Sequence, residues 1–139
     1  MVSAAQKAAI KASWTGANLQ AAGTGFYVHL AADAPAVYAI FKLGADPHGA
    51  KSQAQGLRVM QFVDDCVRSL DDMAAVQAKI DVLAHRHTGY GLKKEDFVPA
   101  KPCFLAGLAD ALGGNFTADA RAAWGALYDV IAAGLSAFL

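Results

Sequence analysis

The sequence has little of several features that mark large classes of protein. Its 139 residues include two cysteines, Cys66 and Cys103, and both lie in segments with a helical pattern. We expect reduced thiols in the core rather than a disulfide, and two cysteines do not indicate a metal–thiolate site. Because reduced thiols are typical of the cytosol, we expect a cytoplasmic location.

Charge and long apolar runs are also scarce. Twelve basic and twelve acidic residues balance to a net charge of +0 at pH 7, which does not favour nucleic acid as a partner. Apolar residues make up 55% of the chain, but many are alanine, and no apolar run approaches the ~20 residues of a membrane span. Residues 1–14 lack a signal-peptide pattern, and Ser3 with Gln6 predicts a capping box instead. We expect one domain over residues 1–139 that binds neither membranes nor nucleic acid.

Strand patterns, internal repeats and low-complexity linkers are missing as well. Glycine and proline separate segments that have helical periodicity. The predicted helices cover about residues 4–19, 21–32, 35–41, 50–70, 71–88, 94–112 and 118–138. Pro35 suits the first turn of the third helix, and Thr117 can cap the last one. The sequence therefore predicts an all-α domain.

Two histidines near the end of the fifth predicted helix differ in the face that they occupy. Val76, Ile80 and Leu83 are spaced by four and three residues, which is typical of one helical face. Four residues further lies His87, whereas His85 falls roughly 200° from Leu83 at ~100° per residue. We predict that His87 faces inward and His85 outward. On this evidence His87 is either a core histidine with a local hydrogen bond or a metal ligand.

Two more polar side chains are predicted to point inward. An apolar stripe on the fourth predicted helix comprises Val59, Phe62, Cys66 and Leu70. Gln55 lies four residues before Val59 and heads this stripe, and Tyr27 shares a face of the second helix with Gly23 and Leu30. A partly exposed glutamine near a helix start, or a tyrosine bonded to a backbone carbonyl, would explain each separately. Because buried polar groups are costly unless satisfied, a polar ligand shared with His87 would explain all three.

The mutual spacing of these residues resembles that of the globin family. Globins begin a short third helix at a proline and have a phenylalanine six residues later, as Pro35 and Phe41 stand here. The inward residue of their second helix lies fourteen positions before that phenylalanine, where this chain has Tyr27. Their distal pattern, His or Gln followed by Gly-x-x-Val, is matched by "QGLRV" from Gln55. The resemblance implies a globin fold of about seven helices around a haem pocket.

The fifth predicted helix resembles the globin segment that contains the proximal histidine. A leucine lies four residues before the proximal histidine of globins, as Leu83 lies before His87. Segments 25–41, 86–92 and 115–132 are most similar to single-domain bacterial haemoglobins and flavohaemoglobin haem domains, with some likeness to annelid globins. The resemblance covers nearly the whole chain, and it selects the same histidine as the periodicity.

The resemblance implies haem b as cofactor and His87 as its iron ligand. The residues implied to contact haem are Phe41, Val59, Leu83, Leu92 and Phe97. Arg58 is either a partner of a haem propionate or an ordinary solvated arginine. Bound O2 gains partial negative charge, so Tyr27 and Gln55 would stabilise it as hydrogen-bond donors, and bound CO less. This Tyr/Gln pair is typical of globins with high oxygen affinity.

Three functions are compatible with these residues. The first is reversible binding of O2, and of CO and NO, for storage, transport or scavenging. The second is a NO dioxygenase or peroxidase-type haem enzyme that depends on an external reductase. The printed sequence contains no flavin or nicotinamide domain, and the proximal Tyr and Glu of flavohaemoglobins correspond to Phe97 and about Leu139 here. The third is a cofactor-free helical interaction module or a bilin-binding relative. The oligomeric state is left open.

The histidine assignment can be tested by substitution. We expect His87→Ala to lose the spectrum of histidine-ligated haem and His85→Ala to keep it, because only His87 continues the apolar stripe. Absorption spectra of the two purified, reduced variants check this. Loss of haem from His85→Ala together with a normal spectrum for His87→Ala would show that the assignment is wrong.

Overall fold

Helices make up the regular structure of the computed structural model, which describes residues 2–87, 91–137 and 139, without the side chain of His87. The seven α-helices in these ranges are α1 (Ala4–Trp14), α2 (Leu19–Asp33), α3 (Pro35–Ile40), α4 (Ala50–Arg68), α5 (Met73–His87), α6 (Phe97–Leu112) and α7 (Ala118–Ser136). Short 3-10 turns at Lys94–Asp96 and Gly113–Asn115 flank α6. The predicted all-α class is confirmed.

The boundary between the first two helices was predicted wrongly. Helix α1 ends at Trp14 rather than near residue 19, and Gly16 then takes a left-handed φ of 71°. The Asn18 side chain accepts a hydrogen bond of 3.0 Å from the Ala21 N–H. Helix α2 therefore begins at Leu19, because a side-chain cap satisfies one of its free N–H groups there.

The other predicted helix ends lie within two residues of those in the structure, except for the start of the sixth helix, which differs by three. Asp72 accepts a bond of 3.2 Å from the Ala75 N–H and so precedes α5 instead of belonging to it. The sixth helix starts as the 3-10 turn Lys94–Asp96 before it becomes α-helical at Phe97. The predicted caps Ser3 and Thr117 are both present. Local side-chain bonds thus define where most helices begin.

Helix α2 is the central element of the fold, and it packs mainly against α6 and α4. Helix α7 packs against α1, α5 and α6 on the other side of the molecule. The largest fully buried side chains include Trp124 of α7 and Tyr27 of α2. The Trp124 indole N–H donates a bond of 2.8 Å to the Ser13 hydroxyl, which satisfies a polar atom deep in the core. This arrangement leaves α4 and α5 supported by different helices.

Two glycines bring α2 and α4 into direct backbone contact. A Cβ atom on Gly56 would lie 2.5 Å from the carbonyl carbon of Gly23, and a Cβ on Gly23 would overlap the Gly56 carbonyl. No residue larger than glycine fits at this crossing without moving a helix. Because Gly23 is one turn before Tyr27 and Gly56 follows Gln55, the crossing brings these two side chains together.

The structure also bears on the expectations about the cysteines and about membrane spans. Cys66 and Cys103 are free and buried, as predicted. Burial raises the pKa of the Cys66 thiol to about 11, so it stays protonated and behaves as an apolar core residue. Within the described ranges, the search for a helix of the length and hydropathy that a membrane crossing requires found none.

The helix crossing generates a stability prediction. We expect Gly56→Ala to lower the free energy of unfolding by about 1–3 kcal/mol or more, because its Cβ would overlap backbone that cannot move independently. Gly114→Ala is the matched control, since a Cβ there meets no atom of the described residues within 4 Å. Urea unfolding of both variants checks this, and equal midpoints would show that the crossing tolerates a methyl group.

Candidate functional site

Helices α4 and α5 meet at the short turn that joins them. The side chains of Cys66, Val76 and Ile80 are fully buried and form a small core of their own, with Phe62 packed against it. Gln55 precedes Arg68 by thirteen residues and His87 follows Met73 by fourteen, so both lie roughly 20 Å along their helices at ~1.5 Å per residue. The two sequence-predicted ligating positions are therefore at matching distances from the turn.

Beyond this small core, several side chains on α4 and α5 are only partly buried. On α4 these are Val59 and Gln55, and on α5 the same face continues with Leu83. Phe41, which follows α3, is also half-buried and packs against the main core. Phe41, Val59 and Leu83 thus present half-buried apolar surface on three elements of the chain.

Tyr27 of α2 is a buried polar residue in contact with Phe41 and Gln55. It is 0% exposed, and its ring meets those of Phe26 and Phe41 at centroid distances of 4.8 and 5.1 Å. Burial raises its pKa above the ordinary value of 10.0, whereas the hydrogen bond from Gln55 and the charge of Arg58 lower it by less. Tyr27 therefore keeps its hydroxyl hydrogen at neutral pH and remains a donor.

A chain of hydrogen bonds connects Tyr27 to the surface. The Gln55 amide donates from Nε2 to the Tyr27 hydroxyl oxygen at 3.3 Å. The Arg58 guanidinium donates in turn to Gln55 Oε1 at 3.0 Å. Since the Tyr27 oxygen already accepts a bond, its own hydrogen can be donated elsewhere. Sequence reasoning placed Tyr27 and Gln55 in one pocket but missed the contact from Arg58, although the spacing of three residues indicates it.

The first half of the predicted apolar stripe of α4 lies beside the fully buried face of the helix rather than on it. The fully buried face of the helix comprises Ser52, Gly56, Met60, Val63 and Val67. Val59 and Phe62 are half-buried and lie beside this face, while Cys66 and Leu70 are buried as predicted. The helix turns its small residues toward α2 because the Gly23 crossing requires them. Gln55 is half-buried as a result, rather than fully inward.

The other predicted site residues are found in several environments. Leu83, Leu92 and Phe97 are half-buried and Arg58 is exposed. His85 is exposed as predicted, and its Nδ1–H donates to the Asp81 carbonyl at 2.8 Å. His87 ends α5, but its side chain lies outside the described residues, so its predicted role is not tested.

The described residues fit a flat apolar cofactor with a polar ligand on one face. Val59, Phe41 and Leu83 present apolar surface that is only half-covered by protein, and the buried Tyr27 ring meets that of Phe41. Further coverage of this surface would be favourable by about 25 cal/mol per Å². A haem between α4 and α5 would provide it.

Comparison with known families decides the assignment. The chain matches the globin family over residues 24–135, which includes α3 to α6 in full and most of α2 and α7. The chain belongs to the globin family. Membership confirms the resemblance and supports haem binding.

The similarity to individual relatives covers a shorter part of the chain than the family match does. The chain is 32% identical over 79 residues to a neuroglobin of Tetraodon nigroviridis and 30% identical over 79 residues to a neuroglobin of Dissostichus mawsoni. Each match covers 57% of this chain and 50% of the relative, so the chain spans about half the length of the curated relatives it matches. The closer likeness to bacterial haemoglobins stays a prediction.

The buried state of Tyr27 generates a pH prediction. Because its pKa is raised in the folded protein, folding stability is lost as the pH rises above 10.0, where unfolded tyrosine ionises first. Between pH 8 and pH 11, we expect Tyr27→Phe to lose about 1.4 kcal/mol less unfolding free energy than the wild type. Urea unfolding at both pH values measures this. Equal losses would show that Tyr27 ionises in the folded protein as it does in water.

Proposed function

We propose that this globin binds O2 reversibly and with high affinity, using haem b, His87 as iron ligand, and Tyr27 with Gln55 as hydrogen-bond donors. The observation that carries the proposal is the bond from Gln55 Nε2 to the Tyr27 hydroxyl. The bond uses the hydroxyl oxygen as acceptor, so the hydrogen of this fully buried tyrosine stays available for donation. A small polar ligand bound beside Tyr27 would accept it.

When bound, ferrous haem would supply one coordination position for His87 and one for a diatomic gas. Tyr27 would donate its hydroxyl hydrogen to the gas, and the second Nε2 hydrogen of Gln55 is available as a further donor. Bonds of this kind to a partly charged acceptor contribute on the order of 1.5–3 kcal/mol each. Phe41, Val59, Leu83, Leu92 and Phe97 would exclude water and cover the cofactor. CO carries less charge and would gain less.

The alternative, a NO dioxygenase or peroxidase-type enzyme with a separate reductase, has weaker support. Flavohaemoglobins resemble this chain, but their proximal tyrosine is replaced by Phe97. The Phe97 backbone carbonyl accepts a bond of 2.7 Å from the Tyr128 hydroxyl, so a tyrosine is near but bonded to backbone. NO consumption with NADH, with and without an added reductase, separates the two functions. Sustained turnover would favour the enzyme.

The role of Tyr27 can be measured through ligand dissociation. We expect Tyr27→Phe to accelerate O2 dissociation at least about ten-fold and CO dissociation much less, because a donor bond worth 1.4 kcal/mol corresponds to a factor of ten. Stopped-flow measurement on the reduced protein tests this. The substitution removes one oxygen atom, so packing should survive. Identical O2 dissociation rates would contradict the role of Tyr27.

The contribution of Gln55 requires a double-mutant cycle with the same variant. Gln55→Leu keeps the approximate size and removes both amide hydrogens. We expect the effects of Tyr27→Phe and Gln55→Leu on O2 dissociation to be coupled by ~0.5–3 kcal/mol, since the two side chains are hydrogen-bonded. Strictly additive effects on the logarithm of the rate would indicate that Gln55 acts independently of Tyr27.

A further inference from the structure

We infer that Arg58 is a positioning residue that decides which end of the Gln55 amide faces Tyr27, and thereby whether the Tyr27 hydroxyl hydrogen is available to a ligand. The inference rests on the proposed function, in which Tyr27 is the main donor. It gives Arg58 a role different from both sequence predictions, a propionate partner or a solvated arginine.

A glutamine amide can face a tyrosine hydroxyl in two ways that have almost the same shape. With Nε2 toward Tyr27, the amide donates to the hydroxyl oxygen and the hydroxyl hydrogen is left for another acceptor. With Oε1 toward Tyr27, the amide accepts that hydrogen and competes with any bound gas. The pocket therefore has a donor state and a self-satisfied state that differ by one rotation of the amide.

Arg58 distinguishes these states because guanidinium is only a donor. Arg58 lies three residues after Gln55 on α4. One of its terminal nitrogens is 3.0 Å from Gln55 Oε1, the end of the amide that faces away from Tyr27. An amide NH2 group at that end would place donor against donor. The Arg58 contact therefore requires Oε1 at the surface and Nε2 at Tyr27, and charge-assisted bonds of this type are about twice as strong as neutral ones.

Burial indicates that Arg58 acts through Gln55 rather than on the ligand directly. Arg58 is exposed, Gln55 is half-buried and Tyr27 is fully buried, so the three residues lead in order from solvent to the pocket. The positive charge of Arg58 also lowers the pKa of Tyr27, and this through-space effect has to be separated from orientation. Two variants separate the effects. Arg58→Lys keeps the positive charge at this position, and Arg68→Met removes an equivalent charge from another position on α4.

The first experiment observes the amide itself by NMR. The purified protein is reduced under CO, so that any haem it carries is diamagnetic. In the wild type and in Arg58→Lys, we expect a nuclear Overhauser effect between the Gln55 amide hydrogens and the Tyr27 ring hydrogens next to the hydroxyl. In Arg58→Met this effect should fall at least about two-fold, because the amide is free to rotate. An unchanged effect in Arg58→Met would overturn the inference, whether or not O2 binds.

The second experiment measures O2 dissociation and the C–O stretching frequency of bound CO. We expect Arg58→Met to accelerate O2 dissociation at least about three-fold and to raise the C–O stretching frequency. The reason is that in part of the molecules Tyr27 would donate to Gln55 Oε1 instead of to the bound gas. Arg58→Lys should recover most of both effects. Arg68→Met removes an equivalent charge from the end of α4, at a residue bonded to Asp64, and should change neither.

The double variant separates orientation from charge. In a Gln55→Leu background there is no amide to orient, so Arg58→Met should no longer affect O2 dissociation. A full effect of Arg58→Met in that background would overturn the inference and leave a direct action of the charge on the ligand. Failure of the wild type to bind O2 would contradict the proposed function instead, and the NMR result would still decide the amide orientation.

Discussion

The Gly23–Gly56 crossing is the contact on which the candidate site depends. Two helix backbones touch there because neither residue carries a Cβ atom, and a side chain at either position would separate them. Separation by even one methyl group would lengthen the 3.3 Å bond between Gln55 and Tyr27 beyond hydrogen-bonding range. The donor arrangement is therefore a consequence of helix packing.

The same crossing explains why the site has both apolar walls and a polar base. With its small residues turned toward α2, α4 presents Val59 and Gln55 to the side instead of burying them. Helix α5 is supported by α7 and meets α4 in the small core around Cys66. Val59 on α4 and Leu83 on α5 keep half-buried apolar surface, which is the kind of surface that a large flat cofactor covers.

Sequence reasoning predicted the helices well where the signal was local. Ser3 and Thr117 cap their helices as expected, and His85 faces solvent as its position relative to Leu83 indicated. The end of α1 was missed because helical spacing continues past Trp14, whereas the left-handed Gly16 ends the helix. The buried face of α4 was misplaced because periodicity weights large apolar residues, and here a glycine, Gly56, makes the closest contact with α2.

The sequence by itself determined the helical class, the globin resemblance and the identity of Tyr27, Gln55 and His87 as candidates, since these follow from spacing and residue chemistry. Only the tertiary structure decided how Gln55 is oriented and that Arg58 contacts it. An amide has nearly the same shape in both orientations, so its direction depends on neighbours from the same helix and from α2. Which atoms meet across two helices is set by how closely the backbones approach, and that distance is not encoded in the periodicity of either helix.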